Sequence, residues 1–165
     1  MFMYHTVFGS LDNYEKGHIE IVNDKPRNFA FSNIFEVAEK SKPYEMVVVA
    51  KNLENVIEAV RAEGESAWFS ASHDEFALAM DGEIEIHFHK AVGDEIVPDS
   101  IEGTQIVGHA PRGPKMGHVV LKRGHQAILP KGSVYQYRAR KLGVIMLQTI
   151  IGANSVQKWS EICYV

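Results

Sequence analysis

Glu75-Phe76-Ala77-Leu78-Ala79-Met80-Asp81-Gly82-Glu83-Ile84-Glu85-Ile86-His87-Phe88-His89 reads as two strands folded back on a tight turn. Asp-Gly supplies the positive-φ backbone that a short hairpin connection requires. After the turn, Ile84, Ile86 and Phe88 alternate with Glu83, Glu85, His87 and His89, the period of two of a half-buried strand. That pattern points the isoleucines and Phe88 into a core. It assigns His87 and His89 to the outer face, solvated or at an interface, and not to a metal.

Outward from this hairpin the chain continues as strand after strand. Candidates are 67–72, 118–122, 126–129, 134–138 and 144–151, separated by Arg123-Gly124 and Pro130-Lys131-Gly132. Many short strands at regular spacing predict a sandwich or a closed barrel. On the strand 134–138, Tyr135 and Tyr137 share a face and are expected to line the interior with satisfied hydroxyls. The link from Lys90 to Lys115 holds four glycines and three prolines. Structureless links of that length are uncommon and tend to be functional or partner-binding.

Upstream, Met46-Val47-Val48-Val49-Ala50 predicts a buried strand. Asn52 then suits a helix N-cap, and Leu53, Val56, Ile57 and Val60 fall at i, i+3, i+4, i+7, so a helix is expected over 52–63 with Gly64 as its stop. Residues 1–45 read as an arm rich in Phe and Tyr. It carries an alternating run at 18–22 and one short helical turn at 33–38. The expected division is this arm followed by a barrel over 46–165, in a single domain.

Composition agrees. At 165 residues the chain suits one domain, and a domain of this size buries roughly 70% of its unfolded surface. A net charge of −4 without a run of basic residues argues against nucleic-acid binding. The single cysteine, Cys163, offers no internal disulfide and suits a reducing cytoplasm. No signal-peptide pattern opens the sequence. The apolar run 142–153, broken by Gln148 and Thr149, is too short for a membrane span of ~20 residues and reads as a buried strand. A cytoplasmic location is therefore expected.

Two stretches resemble the signature motifs of the cupin superfamily. Glu75 to Gly82 matches the glutamate-to-glycine half of the first motif, and Gly124, Pro130 and Gly132 match the spacing of the second. The fold implied is a mainly β, cupin-type double-stranded β-helix, or jelly roll. Cupin iron or manganese sites take several imidazoles and one carboxylate. Where the paired histidines belong, four to six residues before Glu75, this chain has Phe69, Ser70 and Ala71. Where the second motif ends in histidine, it has Tyr135. Only Glu75 survives, with His73 two residues before it, and His118 or His125 would have to complete a fallback metal site on that pair. The bland alternative is that His73 and Glu75 bond to each other or to backbone. Trp68, just before the first motif, suits a pocket cap, a partner anchor or plain packing.

The chain as a whole resembles the small subunit of two-component hydroquinone 1,2-dioxygenases, whose relatives are often labelled hydroxyquinol 1,2-dioxygenase. The resemblance is carried by Tyr4-His5-Thr6, Lys16-Gly17-His18-Ile19-Glu20, Arg27-Asn28-Phe29-Ala30-Phe31-Ser32-Asn33 and Ser72-His73-Asp74-Glu75-Phe76-Ala77-Leu78. It implies a complex for aromatic degradation with Fe(II) on a larger partner subunit and no cofactor in this chain. Oxygen is inserted into a 1,4-dihydroxybenzene to open the ring. The smaller chain would be a homodimer when alone. Trp68, His73, Glu75 and Tyr135 are its candidates for a residual pocket or interface. Two other readings stay open at this point: a self-sufficient metallocupin (dioxygenase or isomerase), and a barrel that binds a small aromatic without turnover.

Overall fold

The computed structural model describes residues 9–25, 29–31, 33–158 and 161–162. Cys163 and the segments Tyr4-His5-Thr6 and Arg27-Asn28 lie outside them. The strands are β1 (Glu20–Ile21), β2 (Phe29–Phe31), β3 (Met46–Asn52), β4 (Asn55–Glu65), β5 (Trp68–Ser70), β6 (Glu75–Asp81), β7 (Glu83–Lys90), β8 (Gln105–Val107), β9 (Lys115–Lys122), β10 (Gln126–Leu129), β11 (Ser133–Ile150) and β12 (Ser155–Val156), accompanied by the α-helix α1 (Ile34–Glu39) and short 3-10 turns at Val22–Asp24 and Gly93–Glu95.

The architecture turns on β11. The sequence suggests two strands here, 134–138 and 144–151; the structure has one of 18 residues. Its first half lies between β7 and β5, with Tyr135 opposite both Phe88 and Phe69. Its second half lies between β4 and β6, with Leu147 opposite Glu58 and Ala77. A register shift between Ala139 and Gly143 bends the strand from one layer into the other. The layers are thus β3-β4-β11-β6-β10 and β9-β7-β11-β5-β8, curled face to face as a jelly roll. The bend needs a bare backbone: a Cβ on Gly143 would stand 2.9 Å from the Asp81 carbonyl oxygen, and one on Gly82, at φ +78°, 2.8 Å from the Gly143 Cα. The Asp81-Gly82 turn that opened the sequence reading is therefore also where the strand bend packs.

The interior holds Val60, Phe69, Ala77, Ala79, Ile84, Ile86, Phe88, Tyr135, Tyr137, Ile145 and Leu147, all buried. Ile84, Ile86, Phe88 and the two tyrosines face inward as the alternation predicts.

The helix expected over 52–63 is not there. Asn52 pairs with Asn55 across a two-residue turn in which Leu53 adopts φ +56° and is 55% exposed, and β4 runs on as strand. The physical reason is that β4 is covered on both faces. Val56, Glu58, Val60 and Ala62 are buried, and Ala59 is buried on the opposite face with Val37 of α1. A strand buried on both faces puts apolar residues at nearly consecutive positions, which mimics a helical stripe. The real helix is the short turn read at 33–38. Asn33 caps it, its Oδ1 accepting from the N–H groups of Phe35 (2.9 Å) and Glu36 (3.1 Å). Phe35 and Ala38 of α1 pack with Val144. Within the arm, the 18–22 run shortens to β1, which pairs with β2, and β2 adds to the edge of β3.

The Lys90–Lys115 link is ordered and contributes β8, which pairs with β5. Its clamp is Glu95, whose side chain is fully buried. The carboxylate accepts the N–H of Val92 (3.0 Å) and of Arg112 (2.7 Å), joining the two ends of the link. Glu95→Ala leaves both amides unpaired. We expect faster amide exchange and proteolysis confined to the link, with the barrel strands unchanged. Equal exchange in variant and wild type would show that the clamp is dispensable.

Candidate functional site

Glu75 opens β6 and is buried inside the barrel, 1% exposed. Three hydroxyls converge on it. Tyr135 donates to Oε2, while Thr104 and Thr149 donate to Oε1, the latter at 2.8 Å. Tyr135 comes from β11 in one layer, Thr149 from β11 in the other, and Thr104 from the link. The carboxylate on β6 therefore ties both halves of β11 and the link together. A hydroxyl carries one proton. Thr149 gives its own to Glu75, and the same Thr149 oxygen lies 2.9 Å from His73 Nε2, which the Ile150 N–H also reaches at 3.4 Å. His73 Nδ1 is buried and has no protein partner among the described residues.

A second acid sits close by. Glu58 of β4 is fully buried; its Oε1 accepts from Ser155 Oγ at 2.5 Å, and its Oε2 has no protein partner among the described residues. Burial, with the nearby Glu75 charge adding to it, pushes its pKa from 4.5 up to about 8. Burial likewise holds the phenols of Tyr135 and Tyr137 well above 10, so both stay neutral; Tyr135 donates to Glu75, but the Tyr137 hydroxyl, expected to be satisfied, is buried with no hydrogen-bond partner among the described residues.

Of the four sequence candidates, His73, Glu75 and Tyr135 share one network. His73 and Glu75 are joined through Thr149 and not directly. Trp68 is elsewhere, on the outer face, with its ring edge-on to His89 at 5.4 Å. The possible third ligands do not join in: His118 stacks on His87 at 5.0 Å, and His125 accepts the Lys122 N–H at its own turn. His87 pairs with Glu85 at 2.8 Å, and His89 bonds the Gly113 carbonyl at 2.9 Å.

This donor set does not fit an iron ion. Both oxygens of Glu75 are engaged by hydroxyls, the nearest imidazole bonds Thr149, and Phe69 and Ala71 fill the positions of the paired histidines. No group of three His, Cys, Asp or Glu side chains converges among the described residues. The interior acts as a polar brace: a carboxylate holding a phenol and two threonines across the layers of the barrel. Sequence reasoning missed Thr104, Thr149, Glu58 and Ser155. The one available signal was Thr149, a polar break in an otherwise apolar strand.

Neither a scan against protein-family models nor a search of curated proteins finds a match. Solved structures do match. The chain is 51% identical to a chain of the hydroquinone 1,2-dioxygenase PnpCD in complex with Cd2+ and 4-hydroxybenzonitrile, covering 98% of this chain and 97% of that one with a TM-score of 0.82. It is 48% identical to a chain of the hydroquinone 1,2-dioxygenase from Sphingomonas sp. TTNP3 with 4-hydroxybenzoate bound, covering 98% of both at a TM-score of 0.83. A PnpCD structure in complex with Fe3+ contains a further chain with the same fold at 11% identity and a TM-score of 0.58; the match spans 85% of this chain but 38% of that one. Half the residues shared over almost the full length of both chains, on the same jelly-roll barrel, place this cupin-type chain in the hydroquinone 1,2-dioxygenase family.

Proposed function

We propose that this chain is the smaller, iron-free subunit of an Fe(II)-dependent dioxygenase that opens the ring of hydroquinone or hydroxyquinol-type aromatics, with iron on a larger partner chain. The observation that carries the proposal is the saturated Glu75: the carboxylate a metal-binding cupin would use is bound by Tyr135, Thr104 and Thr149. The length of the second matching chain in the PnpCD structures supports it, because that chain is more than twice as long as this one. Bound to the partner, iron supplies oxygen activation. This chain supplies a braced barrel, with Trp68 on its outer face and His73 beside the network as its candidate contacts to the partner's pocket.

The test is reconstitution. The chain is purified alone and together with a larger dioxygenase chain, and hydroquinone-dependent oxygen uptake and iron content are measured in each. We expect turnover only in the mixture and iron only where the partner is present. Stoichiometric iron and hydroquinone cleavage in the isolated chain would overturn the proposal.

A further inference from the structure

The charge of the chain is divided by position. Between Glu102 and Glu161 there is no Asp or Glu, yet there are nine Lys and Arg. In the fold, several of these cations meet acids from earlier in the chain: Lys122 meets Glu83 at 3.7 Å, Arg138 meets Glu65 at 3.7 Å and Lys131 meets Asp99 at 2.5 Å. Lys115 and Arg123, at the two ends of β9, have no ion pair among the described residues. Arg123 donates to the Gly9 carbonyl instead.

Among the described residues β9 is also an open edge, pairing only with β7. The Lys122 N–H points away from β7, since it bonds His125 Nδ1 at 3.3 Å. Alternation along an antiparallel strand then turns the N–H and C=O groups of Val120 and His118 outward as well. Each face of this edge exposes an apolar side chain among the described residues. Val120, opposite Glu85 on the outer face, is 43% exposed; Val119, opposite Ile86 on the inner face, is 39% exposed; Met116 is 57% exposed. A strand with free backbone groups and exposed apolar side chains on both faces is a template for another strand.

We propose that β9 is a docking edge that takes an extended strand of the larger partner chain, in which apolar residues are flanked by Asp or Glu; this rests on the two-chain reading above. Charge decides the occupant. Two copies of β9 paired about a two-fold would bring the Lys115 end of each beside the Lys122–Arg123 end of the other, so like charges oppose self-pairing. A strand with acids at its ends meets Lys115 and Arg123 favourably, and Val119, Val120 and Met116 cover its apolar residues.

The experiment combines the purified chain with its partner and follows amide exchange and affinity. The amides of Val120 and His118 should gain protection on complex formation. Val120→Lys and Lys115→Glu should each weaken the complex by about tenfold or more while the isolated variants melt as the wild type does. Wild-type affinity should fall as salt is added. Unchanged exchange at both amides in an assembled, active complex overturns the docking edge and leaves the two-chain reading standing. Failure of the wild-type chain to bind any larger partner removes that reading first. Self-association of the isolated chain that Val120→Lys abolishes, with partner binding intact, assigns the edge to a second copy and overturns the proposal.

Discussion

Glu75→Ala is expected to cost the barrel about 3–5 kcal/mol, a large fraction of the about 5–15 kcal/mol that keeps an ordinary domain folded. The loss has two sources. Tyr135, Thr104 and Thr149 would each be left with a buried hydroxyl lacking its acceptor, and an unsatisfied buried donor costs about 1–3 kcal/mol. The removed carboxylate also leaves a hole where β6, both halves of β11 and the link meet. Glu75→Gln keeps the volume and one acceptor oxygen and should lose distinctly less. Urea unfolding of the isolated chain, in the absence of iron and partner, reads the difference. If Glu75→Ala unfolds within about 1 kcal/mol of wild type, hydroxyl satisfaction is not what the residue does.

The second large effect is in pH. Glu58 is fully buried and its pKa rises from 4.5 to about 8 in the folded barrel. Between those values the folded state holds a proton that the unfolded chain has released. Glu58 therefore favours folding fully below about pH 4.5, and that contribution is lost as pH rises through about 8. A shift of this size corresponds to a loss on the order of 4–5 kcal/mol across the window. The hydrogen bond from Ser155 opposes the rise, and the nearby Glu75 carboxyl adds to it. Glu58→Gln keeps an acceptor for Ser155 and carries no titrating proton. The variant should show a nearly flat stability between pH 5 and 8 and exceed the wild type at pH 8. Denaturation curves at several pH values check this; parallel pH profiles for the two proteins would place the titration elsewhere.

Both predictions concern residues that the sequence showed unequally. Glu75 stood out because it is one surviving member of a known ligand pattern. Of its partners only Tyr135 did; Thr104 and Thr149 did not, and together the three make a brace of what looked like the remnant of a metal site. Glu58 was hidden by a misread period: on the helix expected over 52–63 it was one polar residue beside an apolar stripe. On β4 it is an acid aimed into the core. The helix at Ile34–Glu39 was legible because its cap is local, Asn33 bonding the N–H groups two and three residues ahead. The Lys90–Lys115 link was read as a candidate for function, but nothing in its glycines and prolines showed that Glu95 would pin it to the barrel or that Thr104 would reach Glu75.

What the sequence by itself determined is therefore what short-range sterics and periodicity control: the Asp81-Gly82 turn, the inward set Ile84, Ile86, Phe88, Tyr135 and Tyr137, the mainly β class, and the absence of imidazoles at the expected ligand positions. What only the tertiary structure decided is how the retained carboxylate is used. Its three donors lie 29, 60 and 74 residues away along the chain. Contacts at those separations form only once both layers close around β11. Until then, Thr104 carries no local mark that sets it apart from any other hydroxyl, and Thr149 shows only as a polar break in an apolar run.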